Sequence, residues 1–141
     1  MNIDEIKQIL PHREPMLLIQ EVFLDDETHA TAYYTVKGDE YFLQGHFPGN
    51  PIVPGVIQCE MMAQASCILL KDKMTSADCT PFYTGLKDVK FKNPIKPGDK
   101  IEMKVELTQA REPFYFLKGK LTVDGKLCMK GEFSVAVIEN K

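Results

Sequence analysis

His46 and Glu60 are the residues of this chain whose types and settings could move protons. His46 lies in the run Gln44-Gly-His-Phe-Pro-Gly-Asn-Pro-Ile-Val-Pro-Gly55. Pro48, Pro51 and Pro54 fix φ and remove backbone donors, while the interleaved glycines permit tight bends, so this segment is a stiff, turning loop. An imidazole titrates near neutral pH, which makes a histidine held there a candidate general base. Glu60 follows in an apolar run, Val56 to Lys71, which reads as a long helix. A carboxylate in such a run is costly unless it is paired or employed. Burial would raise its pKa towards about 6–7, where it could donate a proton. Between the two, at Gly55-Val56, the loop becomes the helix. Its free N–H groups and the positive end of its dipole could hold an oxygen that gains negative charge.

Each residue has a plainer reading. A histidine before a proline-rich turn can be structural, and a glutamate in an apolar helix can pair with a lysine or arginine. His46 and Glu60 make a poor metal site, since zinc takes three or four protein ligands. Gln64 lies one turn after Glu60 on the same face, so it either orients the carboxylate or a water, or simply packs. His12 reads as structural and His29 as a surface residue. Lys87, Lys90, Lys92 and Lys96 read as a solvated face that could also meet an acidic partner.

The elements that must position these groups follow from the pattern. Asn2 to Leu10 reads as a short amphipathic helix capped by Asn2 and stopped by Pro11. Met16 to Leu24 reads as a buried strand, and His29 to Val36 as its hairpin partner, with Ala30, Ala32, Tyr34 and Val36 on one face. Asp39 to Leu43 is a connector with room for one helical turn. The long helix is apolar nearly all the way round and should be buried on most sides. Asp72 to Pro81 reads as a loop. Phe82 to Lys92 is a strand with Leu86, Val89 and Phe91 as core candidates and a bulge near Lys87. Ile101, Met103, Val105 and Leu107 alternate with charged residues. Asp124-Gly125 joins two further strands, Pro113–Val123 and Lys126–Ile138. About six antiparallel strands and one long helix imply an α+β fold, a curved sheet wrapped around a central helix. The exposed edges and open face of such a layer favour an oligomer.

Composition limits the rest. At 141 residues the chain reads as one domain, spanning 1–141. Its net charge of −3 argues against a nucleic-acid binder. The first residues lack a signal peptide's pattern, and polar residues interrupt the apolar helix, so no membrane span is expected. Cys59, Cys67, Cys79 and Cys128 form no CxxC pair and read as reduced thiols of a cytoplasmic protein.

The run His46-Phe-Pro-Gly-Asn-Pro-Ile-Val-Pro-Gly55-Val with Glu60-Met-Met-Ala-Gln-Ala65 closely resembles the signature of the FabZ-type (3R)-hydroxyacyl-[acyl carrier protein] dehydratases. Leu10-Pro-His-Arg13, Pro15-Met-Leu-Leu, Phe91-Lys-Asn-Pro-Ile and Pro97-Gly-Asp99 resemble other parts of that family, so the likeness covers nearly the whole chain. Where the family carries a Val-Asp-Arg-like run, this chain has Ile19-Gln-Glu21. The resemblance implies a hot-dog fold and dehydration of a carrier-bound 3-hydroxyacyl thioester to the trans-2-enoyl form in fatty acid biosynthesis. It implies His46 and Glu60 as catalytic residues and the Gly55 N–H as donor to the thioester oxygen. Val56 and Gln64 would stand beside the substrate. No cofactor and no metal are implied. The partners implied are an acyl carrier protein and a second copy of the chain. In that homodimer His46 of one chain meets Glu60 of the other, and the dimer assembles further into a hexamer, a trimer of dimers. Isomerisation to a 3-enoyl product, thioester hydrolysis and acyl binding without turnover are the alternatives.

Overall fold

The computed structural model describes residues 1–73 and 79–139. Alternating apolar and polar residues build six antiparallel strands: β1 (Glu21–Leu24), β2 (His29–Thr35), β3 (Cys79–Phe91), β4 (Lys100–Arg111), β5 (Phe114–Val123) and β6 (Lys126–Glu139). They form one sheet in the order β1-β2-β4-β5-β6-β3, so β1 and β3 are its edges. The helix α2 (Gly55–Leu69) packs against β4, β2 and β5. Its residues Met61, Met62, Ala65 and Ile68 are fully buried, as an all-round apolar helix requires. This is the hot-dog arrangement that the pattern implies.

Local chemistry accounts for most boundaries. α1 (Ile3–Ile9) starts at Asn2, whose side chain accepts from the Glu5 N–H while Glu5 reaches back to the Asn2 N–H. Asp124 (φ 50°) and Gly125 (φ 79°) close the β5–β6 hairpin, with Val123 opposite Lys126. Tyr41–Leu43 forms the single short helical turn of the connector. Ile101, Met103 and Val105 point into the core, as do Ala30, Ala32 and Tyr34 opposite them on β2.

Three expectations need correction. The strand expected from Met16 begins only at Glu21. The Leu18 N–H donates to Gln64 Oε1 (2.8 Å) and the Met16 carbonyl accepts from Gln64 Nε2 (2.6 Å), so a helix side chain satisfies the backbone that a neighbouring strand would. The strand expected from Phe82 begins at Cys79, and Asp72 and Lys73 lie in a short helical turn. The middle of the expected Asp72–Pro81 loop lies outside the described residues. Leu86 and Phe91, expected in the core, are each half-exposed, while Val89 packs against the core. β3 is an edge strand with register shifts after Tyr83 and after Lys87, where Asp88 takes φ 52°. The second shift is the bulge expected near Lys87, and such irregularity re-aims the side chains around it.

The sheet centre is tight on its inner face and charged on its outer one. A β-carbon on Gly119 would lie 2.6 Å from Met62 Sδ and 3.1 Å from the Lys104 carbonyl oxygen, so β5 meets α2 at a point with no room for a side chain. On the outer face, Lys104, Lys120, Lys130 and Lys90 stand directly opposite one another across β4, β5, β6 and β3. The next row alternates in sign, Glu106, Lys118, Glu132 and Lys87, with Lys118 Nζ 3.1 Å from Glu106 Oε1.

Candidate active site

The loop that carries His46 is closed on itself. Phe47 and Asn50 exchange backbone hydrogen bonds (3.0 and 2.9 Å), the Ile52 N–H donates to the His46 carbonyl (2.8 Å), and the Val53 N–H donates to the Ile95 carbonyl (2.9 Å). Gln58, one turn into α2, holds the loop from below through Nε2 to the Val53 carbonyl (3.2 Å). The His46 ring stacks on Phe47 with centroids 4.4 Å apart. Its Nδ1 lies 3.0 Å from the Ile52 carbonyl oxygen. A carbonyl only accepts, so Nδ1 carries a hydrogen towards it, and in the neutral tautomer this fixes, the lone pair is on Nε2. The half-buried imidazole is thus held in one orientation.

His46 lines an open, largely apolar cleft of about 790 Å³ together with Val53, Gly55, Val56, Leu86 and Phe91. The N-terminal end of α2 opens onto it. Ile57 and Gln58 donate to the Pro54 carbonyl, which leaves the Gly55 and Val56 amides without an intrahelical acceptor. No side chain caps this end. The Phe91 ring lies so close over Gly55 that a β-carbon there would be 2.8 Å from its Cζ. Val56 is 78% exposed beside it, an unusual position for a valine whose helix is otherwise apolar and covered. Geometry therefore joins His46, Gly55 and Val56 on one wall.

Glu60 is not part of that wall. Its partners are Gln64, whose Nε2 donates to Oε1 (3.0 Å), and His12, whose Nε2 lies 3.3 Å from the same oxygen. Gln64 is fully buried, and it acts through its hydrogen bonds as well as its packing: one amide holds Glu60, Met16 and Leu18 together. The expectation of a raised Glu60 pKa is reversed. Burial does push the carboxyl up, but the His12 and Gln64 hydrogen bonds and the His12 charge outweigh it and hold the carboxyl below its ordinary value.

His12 is the residue that the sequence reading missed. A buried carboxylate needs a partner, and the run Leu10-Pro-His-Arg13 supplied one; the signal was Glu60's own cost, with nothing local to say which distant side chain meets it. His29 is a surface residue as expected, between Asp26 (2.9 Å) and Glu106 (3.2 Å). Cys59, Cys67 and Cys128 are buried free thiols. Among the described residues no group of three or more His, Cys, Asp or Glu side chains could hold a metal ion, and no helix is long and apolar enough to cross a membrane.

Comparison with known proteins agrees with this architecture. Residues 10–132 match the model of the FabA-like domain family. The chain is 44% identical over 137 residues to a 3-hydroxyacyl-[acyl-carrier-protein] dehydratase FabZ of Clostridium perfringens, covering 97% of this chain and 99% of that one. It is 42% identical over 138 residues to the FabZ of Petrotoga mobilis, with 97% and 98% covered. A solved dehydratase heterocomplex, ApeI:P from Xenorhabdus doucetiae, shares the fold with a TM-score of 0.82 at 23% identity, covering 95% of this chain and 91% of that one. A full-length match at this identity to FabZ enzymes, on a hot-dog sheet wrapped around the helix that carries Glu60, means that the chain belongs to the FabA-like family and, within it, to the FabZ-type dehydratases.

Proposed function

We propose that this protein dehydrates (3R)-hydroxyacyl-[acyl carrier protein] to the trans-2-enoyl thioester in fatty acid biosynthesis, a hydro-lyase reaction. The observation that carries this reading is His46. It is an imidazole held by its Nδ1, on the wall of an apolar cleft, next to amides of a helix start that have no intrahelical acceptor. In the reaction His46 Nε2 takes the α-proton. The thioester oxygen gains charge as that proton leaves and rests on the Gly55 N–H, helped by the helix dipole. Glu60 supplies the proton that lets the 3-hydroxyl depart as water, with Gln64 orienting it. Val56 and Phe91 give the acyl chain an apolar wall. Residues 1–141 act as a single domain.

The site is shared between two copies. Glu60 faces His12 and Gln64 inside its own chain while His46 faces the cleft, and the cleft opens along the β3 edge with Leu86 and Phe91 exposed. An unpaired edge with apolar side chains favours a second copy there. A hexamer built as a trimer of such dimers is the assembly we infer. The buried unpaired thiols support a reducing, cytoplasmic setting.

The test is turnover of carrier-bound 3-hydroxyacyl and 2-enoyl thioesters with mass-spectrometric product identification. His46→Ala and Glu60→Gln should each lower dehydration by at least about 10²-fold. Mixed after brief denaturation, the two dead variants should recover up to about a quarter of wild-type activity, since half the dimers are mixed and each has one live site. Release of free thiol would instead identify a thioesterase, and a 3-enoyl product an isomerising dehydratase. Absence of recovery in proven mixed dimers would refute the shared site.

A further inference from the structure

The segment before β1 is built to deliver a second imidazole to Glu60. Pro11 ends α1, and the Arg13 guanidinium folds back over the helix end. It donates to the carbonyls of Lys7 (3.0 Å), Leu10 (2.8 Å) and His12 (2.7 Å). That clamp fixes the peptide that carries His12. The His12 and Glu60 side chains are 22% and 25% exposed, with Nε2 and Oε1 3.3 Å apart. His12 Nδ1 is buried and meets no hydrogen-bond partner among the described residues. Most buried side-chain polar atoms find a partner, so an orphaned ring nitrogen asks for an explanation. His12 leaves one nitrogen bare and places the other on a carboxylate.

The other groups around Glu60 cannot trade protons with it near neutral pH. Gln64 does not titrate. On α2, burial pushes the Cys59 thiol up and the Cys67 thiol up to about 12. On β3, burial likewise pushes up the Tyr83 phenol, whose hydroxyl donates to the Cys59 carbonyl. His46 of the partner subunit, in the shared site proposed above, is already committed to the α-proton. His12 remains.

We propose that His12 is the positioning residue of Glu60 and stores the proton that Glu60 delivers to the departing hydroxyl. This rests on the dehydratase reading above. In the proton-loaded form of the pair His12 carries hydrogens on both ring nitrogens, and its Nε2–H hydrogen-bonds the Glu60 carboxylate. As the C3–O bond breaks, the His12 Nε2 proton moves to Glu60 and Glu60 hands it on to the leaving oxygen, so the pair ends as neutral His12 beside a carboxylate. The electron pair of the breaking C3–O bond stays with the oxygen. The pair of the α-C–H bond forms the new double bond, and its proton stays on His46. One proton leaves the His12–Glu60 pair, one arrives on His46, and water is released. Return of the His46 proton to the pair through solvent resets the site. The depressed carboxyl of Glu60 agrees with this division, because a group already charged at neutral pH needs a neighbour to hold its proton.

Two variants of the full chain test it. His12→Gln keeps a side-chain N–H but cannot carry a proton; His12→Ala removes both. Titration of the Glu60 carboxyl, followed by ¹³C NMR with carboxyl-labelled glutamate, needs no turnover. In His12→Ala the midpoint should rise by at least about one pH unit, since burial then acts with less opposition. No rise overturns the pairing. In steady-state kinetics His12→Gln should keep KM within about twofold and lose about 10²-fold in kcat at neutral pH. The high-pH limb of its profile should move down by about one unit or more. Wild-type kinetics in His12→Gln, or a loss that is equal at every pH, overturns the proposal. A wild-type chain that never dehydrates overturns the dehydratase reading, and the proton-store role with it. The NMR titration still reports whether His12 and Glu60 are paired.

Discussion

Replacing Gln64 by leucine tests how the N-terminal segment is fastened to α2. The two side chains are similar in volume, so the change removes polar atoms without opening a large cavity. It strips the Leu18 N–H of its acceptor at 2.8 Å, the Met16 carbonyl of its donor at 2.6 Å and Glu60 of its donor at 3.0 Å. Leu18 is 1% exposed, so its amide cannot turn to water and costs about 1–3 kcal/mol unpaired. Met16 is 40% exposed and its carbonyl can be rehydrated, which keeps that loss small. The bond to the charged Glu60 adds about 1.5–3 kcal/mol. The apolar leucine side chain returns about 1 kcal/mol. The net expectation is a destabilisation of about 2–4 kcal/mol. Urea unfolding at fixed protein concentration and neutral pH measures it, with an unchanged m-value as the sign that the fold is intact. A loss below about 0.5 kcal/mol would refute the reasoning, because the three bonds would then have no energetic weight.

Other expectations follow from charge. Lys120→Glu turns two like-charge pairs across β4, β5 and β6 into attractive ones and should stabilise the protein by about 0.5–2 kcal/mol at low salt, shrinking in 1 M salt; an equal or lower urea midpoint at low salt would count against the lysine row. Glu60 is held below its ordinary carboxyl value of 4.5, so its stabilisation is present above that value and is lost as pH falls through the folded one. Between about pH 5 and pH 3, Glu60→Gln should therefore lose less stability than the wild type in urea titrations; an equal loss would refute the assignment.

Much of this was legible in the residues because it was written locally. The β5–β6 hairpin needs only Asp124-Gly125 between alternating runs, and the capping box of α1 needs only Asn2 and Glu5. His46 and the helix start at Gly55 were found together because one loop carries both. What escaped depends on distant partners. The apolar run from Met16 has the composition of a strand, but Gln64, far along the chain, takes its backbone bonds. Leu86 and Phe91 have core chemistry, but the place of β3 at the sheet edge decides their exposure. Glu60's need for a partner was visible and its partner was not. His12 reaches it only because α1 folds against α2, and that contact also reversed the expected direction of the carboxyl's pKa.

The missing side chain at Gly119 has a consequence for how this sequence can drift over evolutionary time. Met62 occupies the space that a β-carbon there would fill. A β-carbon at 119 requires Met62 to move or to be replaced by a smaller residue, and the Lys104 carbonyl to give by a few tenths of an ångström. A smaller residue at 62, arriving first, leaves a cavity beneath the sheet. The two positions are therefore coupled: a side chain at 119 is better accommodated beside a smaller residue at 62. Met62 lies two residues from Glu60 on the same helix, so a lineage crossing that valley also risks shifting the Glu60 carboxylate. Such a pair should change rarely, and when it changes, both members should change together.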